Sequence, residues 1–433
     1  MAKYQKYAEY KDSGVEWLGE IPSHWVIQKL KWEITAKSGT DAKSEDGEFD
    51  LYGANGLIGK SSTFIDLSKL PVVLVGRVGS AGSLNYLTQC AGISDNALII
   101  ENNKYKTSRF EFYLLSSLKL EELVSKNAQP LITASNIRDI IVPISLDINE
   151  RTQIANFLDH ETAKIDSLID KQQQLIELLK EKRQAVTSHA VTKGLNPDVA
   201  MKDSGIEWLG EVPEHWQFPR LKQLIQYGSS ISYGIVQPGD ALDEGVPFIQ
   251  TTNISKGSFE LEDFQKTSVS IESNYPRSRL EGGEVILGIR ASIGAAFVVP
   301  MSFKGVNLSR GIARIIPNNL LRSDFLVWYF KSNTVDQYWG LSKQGSTFSE
   351  VSIETVRELN VVIPPLDEQE TITKYLTNES NKFEKLINFA EKQKLLLLER
   401  RTALISAAVT GKIDVRNWQN PNNNNEAKTE FSA

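Results

Sequence analysis

The sequence predicts an α+β protein composed of two α/β domains and two long helices that pair with each other. Three observations lead to this prediction: a short phrase occurs twice, a long helical segment occurs twice, and the segments between these repeats differ in sequence. Repetition of this kind indicates a duplicated architecture. The length of 433 residues, 41% of them hydrophobic, suits two or three domains.

The first repeated element is a fourteen-residue phrase rich in tryptophan. Residues 12–25 read DSGVEWLGEIPSHW and residues 203–216 read DSGIEWLGEVPEHW, so eleven of the fourteen positions are identical. Aromatic residues in a short segment that contains proline typically anchor that segment on a helix surface. We therefore expect both copies to pack on the long helices, and we expect His24 and His215 to be structural rather than catalytic.

The second repeated element is a long helix. Residues 150–192 align with residues 368–410 without a gap, and neither segment contains proline or glycine. Apolar residues recur every seven residues, which is typical of a coiled coil. A helix of about 40 residues spans about 60 Å and cannot bury such a stripe inside a small domain, so the two helices are expected to pair. The predicted seam comprises Leu158, Ile165, Leu168, Gln172, Leu175, Leu179 and Val186 in the first helix, and Leu376, Phe383, Leu386, Ala390, Leu397 and Leu404 in the second.

The segments between the repeats are predicted to be strand-rich α/β domains. Apolar runs at residues 72–75 and 285–287 are typical of strands, and a glycine-rich turn follows each run. Residues 110–118 and 325–330 are expected to form short helices. The predicted organisation is a repeated segment (1–25), a first domain (26–147), a central helix (148–193), a linker with the second repeated segment (194–216), a second domain (217–366), a C-terminal helix (367–411) and a tail expected to be disordered (412–433).

Polar side chains gather in the turns of both domains. Asparagine and glutamine can pair with adenine, and arginine can pair with guanine, although the same residue types are common in ordinary turns. The candidate DNA-binding residues are Tyr52, Asn55, Lys60, Arg77, Ser80, Asn85, Tyr86 and Asn96 in the first domain, and Tyr233, Gln250, Thr251, Thr252, Asn253, Arg290, Ser292, Asn307, Arg310, Lys343, Gln344, Ser346 and Thr347 in the second.

Recognisable catalytic motifs are absent from the sequence. Residues 53–61, GANGLIGKS, resemble a phosphate-binding loop, but five residues separate Gly53 from Gly59 where the motif has four. The single cysteine, Cys90, excludes a disulfide framework and a thiolate metal cluster. With no apolar signal segment and no run of about 18 apolar residues, the chain is expected to be cytoplasmic. A coiled-coil scaffold without DNA specificity and an enzyme with unfamiliar motifs remain as alternatives.

Several features together resemble the specificity subunits of Type I restriction–modification systems. They are the doubled phrase, the Tyr52–Gly56 turn, the Gln129-Pro130 and Gln344–Thr347 segments, and the two helices that end in Ala-Val-Thr. The resemblance implies two target recognition domains related by pseudo-twofold symmetry, each of which reads one half of a bipartite site in double-stranded DNA. It implies that the helices form an antiparallel coiled coil that sets the spacing of the half-sites.

The resemblance also implies partners that perform the chemistry. Two methyltransferase (modification) subunits would dock on this chain and bind S-adenosylmethionine, and two restriction subunits would supply the motor and nuclease activities, which use ATP and magnesium. No cofactor is expected on this chain itself, and it is not expected to be an enzyme.

Overall fold

The computed structural model describes residues 4–65, 70–105, 109–124, 131–256, 260–342 and 350–421. The chain divides into two compact units. Unit 1 comprises residues 1–173 and 392–433, and unit 2 comprises residues 174–391. Both long helices begin in one unit and end in the other, so each unit contains part of each helix.

Among the residues that the structure describes, unit 1 contains two sheets of three or four strands and two short antiparallel strand pairs. An antiparallel sheet has the strand order β4-β10-β7-β8, and a smaller sheet has the order β6-β5-β9, in which β5 and β9 are parallel. The strands are β1 Tyr10–Asp12, β2 Glu20–Pro22, β3 Val26–Lys29, β4 Ile34–Ser38, β5 Phe49–Gly53, β6 Gly56–Ser61, β7 Val72–Gly76, β8 Leu84–Leu87, β9 Gly92–Ile93, β10 Ala97–Asn102 and β11 Ile141–Ile144. The helices are α1 Arg109–Ser116, α2 Ala134–Arg138 and the long α3 Ile148–Lys193, which continues into unit 2.

Unit 2 repeats this architecture although its sequence differs. Its antiparallel sheet has the order β14-β20-β17-β18, and its smaller sheet has the order β16-β15-β19, with β15 and β19 parallel. The strands are β12 Met201–Asp203, β13 Glu211–Pro213, β14 Ser232–Tyr233, β15 Val246–Ile249, β16 Gln265–Thr267, β17 Val285–Gly288, β18 Ala296–Val298, β19 Asn307–Leu308 and β20 Ile312–Ile315. The helices are α4 Thr251–Lys256, α5 Val269–Glu272, α6 Ser323–Phe330, α7 Asn333–Ser342, α8 Ile353–Glu358 and the long α9 Leu366–Val409.

The central strands are apolar throughout because both of their faces are covered. In β7, Val73 and Val75 belong to the core that includes α1, whereas Val72 and Leu74 belong to the core beneath the smaller sheet. Successive side chains of a strand point to opposite faces, so one run of valine and leucine serves two cores. The predicted strands at 72–75 and 285–287, and the predicted short helices at 110–118 and 325–330, are confirmed.

The two long helices pair within each unit and run antiparallel there. In unit 1, Arg401 donates to Asp166 at 2.7 Å and Lys394 donates to Gln173 at 2.8 Å. In unit 2, Ile176 packs with Ile387 and Ala390. The predicted helices and their pairing are therefore confirmed, and Ala390 lies against Ile176.

Three predicted seam residues are wrong. Leu168, Leu175 and Leu386 are exposed, and the isoleucine that follows each of them faces the core instead. After Ile165, the next seam residue is Ile169, four positions later, and not Leu168, three positions later. The heptad register of the seam is therefore shifted by one residue from the predicted register at these sites. Leucine and isoleucine are adjacent at each of these sites, and hydrophobicity alone does not decide which one faces the partner helix.

The repeated tryptophan phrase is bound to the start of a long helix in both units. In unit 1, Trp25 Nε1 lies 3.2 Å and His24 Nε2 lies 3.0 Å from the carboxylate of Glu150. In unit 2, Trp216 Nε1 lies 3.0 Å and His215 Nε2 lies 2.8 Å from the carboxylate of Glu368. Both histidines thus have the structural role that the sequence predicts.

The C-terminal tail differs from its prediction up to residue 418. Ile413 and Val415 are buried in the core of unit 1, and the Trp418 ring packs edge-on against Phe157. The backbone N–H of Asp414 donates to the carbonyl of Gln5 at 2.8 Å. This segment is ordered because it covers the N-terminal residues and α3, whereas residues 422–433 lie outside the described residues.

Candidate nucleic-acid interface

Five of the candidate residues of unit 1 meet at one end of its sheets. The turn between β5 and β6 carries Asn55, and it contacts the turn after β7, where the Ser83 hydroxyl donates to the carbonyl of Ala54. We call the five residues the polar edge of unit 1; their side chains are exposed or half-buried, and none lies in a core. They are Asn55, Arg77, Ser80, Asn85 and Asn96.

The remaining candidates of unit 1 have structural contacts. Lys60 pairs with Asp50 at 2.8 Å, at the end of the β5–β6 hairpin far from its turn. The Tyr86 ring lies 4.7 Å from the guanidinium of Arg109 and faces α1. Tyr52 is half-buried against the core under the smaller sheet. These contacts do not bring the three side chains to the polar edge.

The corresponding end of unit 2 is a cleft of about 380 Å³. Its polar lining includes Gln250, Thr251, Arg290 and Arg310. The Ser292 hydroxyl lies 3.5 Å from the carbonyl of Thr251, next to the cleft. These five residues form the polar edge of unit 2. Tyr233 and Thr252 are exposed nearby in sequence, at the end of β14 and in the first turn of α4.

The structure contradicts one candidate of unit 2, Asn307, and gives a second candidate, Asn253, a contact within its own turn. Asn307 is completely buried: it accepts from Ser278 at 2.7 Å and donates to Glu272 at 3.0 Å. A hydrogen bond from Arg279 lowers the pKa of Glu272, which keeps this acceptor charged. Asn253 caps its own turn by accepting from the N–H of Gln250 at 2.9 Å. Lys343, Gln344, Ser346 and Thr347 lie outside the described residues.

Both polar edges are built on the same backbone hydrogen bonds. In unit 1, Ser94 N–H donates to Tyr52 at 2.9 Å, and Gly82 N–H donates to Gly76 at 2.9 Å. In unit 2, Ser309 N–H donates to Ile249 at 2.9 Å, and Gly294 N–H donates to Gly288 at 3.0 Å. Residues 79–82 (GSAG) and residues 291–294 (ASIG) therefore form the same turn in the two units.

The shared turn explains two glycines. A Cβ at Gly76 would lie 2.2 Å from the carbonyl oxygen of Ser80, and a Cβ at Gly288 would lie 2.2 Å from that of Ser292. Three residues after each of these glycines, the turn needs a residue with a positive φ, and this φ is 79° at Gly79 and 60° at Ala291. For alanine this left-handed conformation costs roughly 1–2 kcal/mol. Unit 2 accepts that cost to keep the turn.

The shared turn also shows that Arg77 and Arg290 do not occupy equivalent positions in the two units. Arg77 matches Ile289. The N–H of Arg77 donates at 2.8 Å to Asn96, which precedes β10, and the N–H of Ile289 donates at 2.9 Å to Gly311, which precedes β20. Arg290 matches Val78, because each forms an isolated β-bridge with the chain that follows. The Arg77 side chain donates to Ser38 at 3.1 Å, whereas Arg290 faces the cleft. The two arginines therefore occupy neighbouring positions, not equivalent ones.

Sequence reasoning missed two acidic residues at the polar edges. Glu350 lies 3.9 Å from both Arg290 and Arg310. Asp95 is exposed beside Asn96 in unit 1. A lone acid in a sequence does not indicate DNA contact, because phosphates repel it, and only the structural match between the units reveals where Asp95 lies.

The described residues contain no group of three or more histidine, cysteine or carboxylate side chains that could hold a metal ion. Within the same residues, no helix has the length and apolar character needed to cross a bilayer. The arrangement offers hydrogen-bond donors and acceptors on two exposed edges, and this suits recognition of a polar partner such as the edges of DNA bases.

Comparison with known proteins gives consistent matches over most of the chain. Residues 31–178 and 213–397 match the model of the family described as "Type I restriction modification DNA specificity domain". A putative type I restriction enzyme MjaX specificity subunit of Methanocaldococcus jannaschii is 24% identical over 92% of this chain and 96% of that protein. The type I restriction enzyme EcoBI specificity subunit of Escherichia coli is 25% identical over 70% of this chain, which spans 65% of its length.

A solved structure shares the fold. It comes from work on complex assembly and conformational transition of the type I R-M system, and it matches with a TM-score of 0.66. The match covers 90% of this chain and 98% of that chain at 15% sequence identity. At this identity the likeness concerns the fold alone.

Proposed function

This chain belongs to the family of Type I restriction modification DNA specificity domains, and from that premise we propose that it selects the DNA sequence on which such a system acts. Each unit would read one half of a bipartite site in double-stranded DNA through its polar edge. One observation carries the proposal: two units with the same strand order and turn present different polar side chains at the same place.

The charge of the two domains limits how tightly they can hold DNA unaided. Residues 26–147 contain 13 lysine and arginine residues against 14 aspartate and glutamate residues, and residues 217–366 contain 14 of each. Phosphate neutralisation supplies much of the affinity of DNA-binding proteins. Near-neutral domains should therefore bind weakly alone, and modification subunits would supply many of the phosphate contacts.

We propose that the long helices dock the modification subunits. Each unit leaves large apolar side chains of its helix segments exposed, which is costly unless a partner covers them. In unit 1 they are Leu168, Leu395, Leu396 and Leu398, and in unit 2 they are Leu175, Leu178, Leu386 and Phe389. Two modification subunits would bind S-adenosylmethionine, and two restriction subunits would use ATP and magnesium, so this chain would contribute recognition without catalysis.

Methylome sequencing tests the proposal directly. The chain and its neighbouring modification subunit are expressed together, and methylated adenines are mapped in cells with and without this chain. We expect a split methylated motif that disappears without the chain, and we expect the two proteins to purify together. Methylation that persists without the chain would contradict the proposal, and co-purification without any motif would favour the scaffold alternative.

A further inference from the structure

One position of the backbone that the two units share carries opposite charges in the two units. We call this common set of strands and turns the shared frame. The residue after Ser94 is Asp95, and the residue after the matching Ser309 is Arg310. The residues that follow also match, because the N–H of Ala97 donates to the carbonyl of Ser94 at 3.1 Å and the N–H of Ile312 donates to the carbonyl of Ser309 at 3.1 Å. Asp95 and Arg310 thus follow the same turn of the same frame.

Both side chains are accessible to a ligand. Asp95 is exposed and forms no hydrogen bond or ion pair with other residues that the structure describes. Arg310 is half exposed and lines the cleft of unit 2. Neither side chain contributes to a core, so the fold itself does not explain the choice of residue at this position.

The surroundings of Arg310 favour a base edge over a phosphate. Glu350 lies 3.9 Å from Arg290 and from Arg310, so its carboxylate offsets one of their two positive charges. A phosphate would meet that carboxylate and be repelled. The edge of guanine presents two neutral acceptors, O6 and N7, which match the paired donors of a guanidinium.

The reverse argument applies to Asp95. A carboxylate on a DNA-facing surface is repelled by phosphates, and it gains most from a base that presents a donor. The exocyclic N4 amino group of cytosine is such a donor in the major groove. At the adjoining position, Val78 replaces the arginine found in unit 2, and the neighbouring Arg77 donates to Ser38 at 3.1 Å.

Resting on the function proposed above, we propose that Asp95 and Arg310 occupy one specificity position of the shared frame. Asp95 selects a cytosine in the half-site of unit 1, and Arg310 selects a guanine in the half-site of unit 2. The two units would therefore differ in sequence preference because one exposed side chain changes between acceptor and donor on the same backbone.

The test uses the full chain assembled with its modification subunits. Asp95→Ala and Arg310→Ala are made separately, and both the methylated motif and the affinity for single-base variants of the DNA are measured. Asp95→Ala should relax one cytosine position in one half-site, and Arg310→Ala should relax one guanine position in the other. Discrimination against the wrong base at that position should decrease by a factor of about 5 to about 150, and discrimination at other positions should not change.

Matched controls separate base reading from general charge effects. Glu9→Ala removes an exposed acid of unit 1 outside the recognition domain, and Arg357→Ala removes a half-exposed arginine of α8; neither should alter the motif. Three outcomes would overturn the proposal. The motif stays intact in Asp95→Ala, or it relaxes at an adenine instead of a cytosine, or binding weakens equally on all sequences with a salt slope reduced by about one. If the wild-type motif still depends on the chain, such results leave the proposed function standing.

Discussion

Replacing Glu150 by glutamine tests whether the repeated tryptophan phrase serves structure. The Glu150 carboxylate is only 3% exposed, and it accepts hydrogen bonds from Tyr7 at 2.7 Å, His24 at 3.0 Å and Trp25 at 3.2 Å, and also from Ser145. Glutamine keeps the size but offers one acceptor oxygen, and its amide N–H groups would face donors.

The expected cost follows from the hydrogen bonds that glutamine cannot accept. A hydrogen bond to a buried charged group contributes about 1.5–3 kcal/mol. If two of these hydrogen bonds are broken, Glu150→Gln should destabilise unit 1 by about 3–6 kcal/mol. Glu368 is the matched control, since its side chain is 38% exposed and receives two side-chain donors. Water can replace those hydrogen bonds, so Glu368→Gln should cost less than about 1 kcal/mol.

Hydrogen–deuterium exchange with mass spectrometry resolves the two units within one chain. Glu150→Gln should accelerate exchange in residues 4–25, with little change in residues 203–216. Glu368→Gln should have a small effect on either segment. Equal acceleration of both segments by Glu150→Gln, or none in residues 4–25, would refute the reasoning.

The same carboxylate predicts an acid-dependent step. Burial alone would raise the pKa of Glu150, but the hydrogen bonds from Ser145, Tyr7, His24 and Trp25 outweigh it and hold the pKa below its ordinary value. A depressed pKa contributes stability above the pKa of the unfolded state, and that stability is lost as the pH falls through the folded pKa. Protection of residues 4–25 should therefore decrease below about pH 4.5, and the Glu150→Gln variant should lack this step.

Three further predictions concern the helices and the core. Ile176→Asp should destabilise the helix pair by about 3 kcal/mol or more, whereas Leu175→Asp should leave thermal stability unchanged and weaken co-purification with the modification subunit; the reverse order would contradict the revised seam. Asn307→Ala should destabilise unit 2 by about 2–4 kcal/mol, because its buried partners Ser278 and Glu272 would each lose one hydrogen bond, yet leave the methylated motif of assembled complexes intact; a changed motif would restore this residue as a base contact. Seven residues inserted after Gln173 and after Gln393 should lengthen each helix by about 10 Å and add about three base pairs between half-sites, and an unchanged spacer would rule out the helices as the determinant of spacing.

Much of the fold could be predicted because repetition exposes the architecture. The doubled phrase and the doubled helix define the frame, and the apolar runs locate the central strands. The seam was harder, because Leu168 and Ile169 are both apolar and differ only in the direction that they face. The partner helix decides between them, and the sequence does not contain its position.

The polar edge could be predicted only in part. Turn chemistry selected Arg290 and Arg310, which line the cleft of unit 2. It could not distinguish them from Asn307, whose polar side chain belongs to a buried hydrogen-bond network around Glu272. Asp95 was not among the candidates, because a lone acid argues against DNA contact. The proposal for Asp95 rests on the matching position of Arg310 in unit 2. That match depends on backbone hydrogen bonds, which two divergent sequences do not reveal.

The most direct test of the central claim is to exchange one recognition domain. Residues 26–147 are replaced by the corresponding domain of a relative with a different known motif, and methylated adenines are mapped by single-molecule sequencing. The account predicts that one half-site changes to that of the donor, while the other half-site and the spacer length stay as they were. A motif that changes in both halves, or in neither, in a complex that still methylates DNA would contradict it.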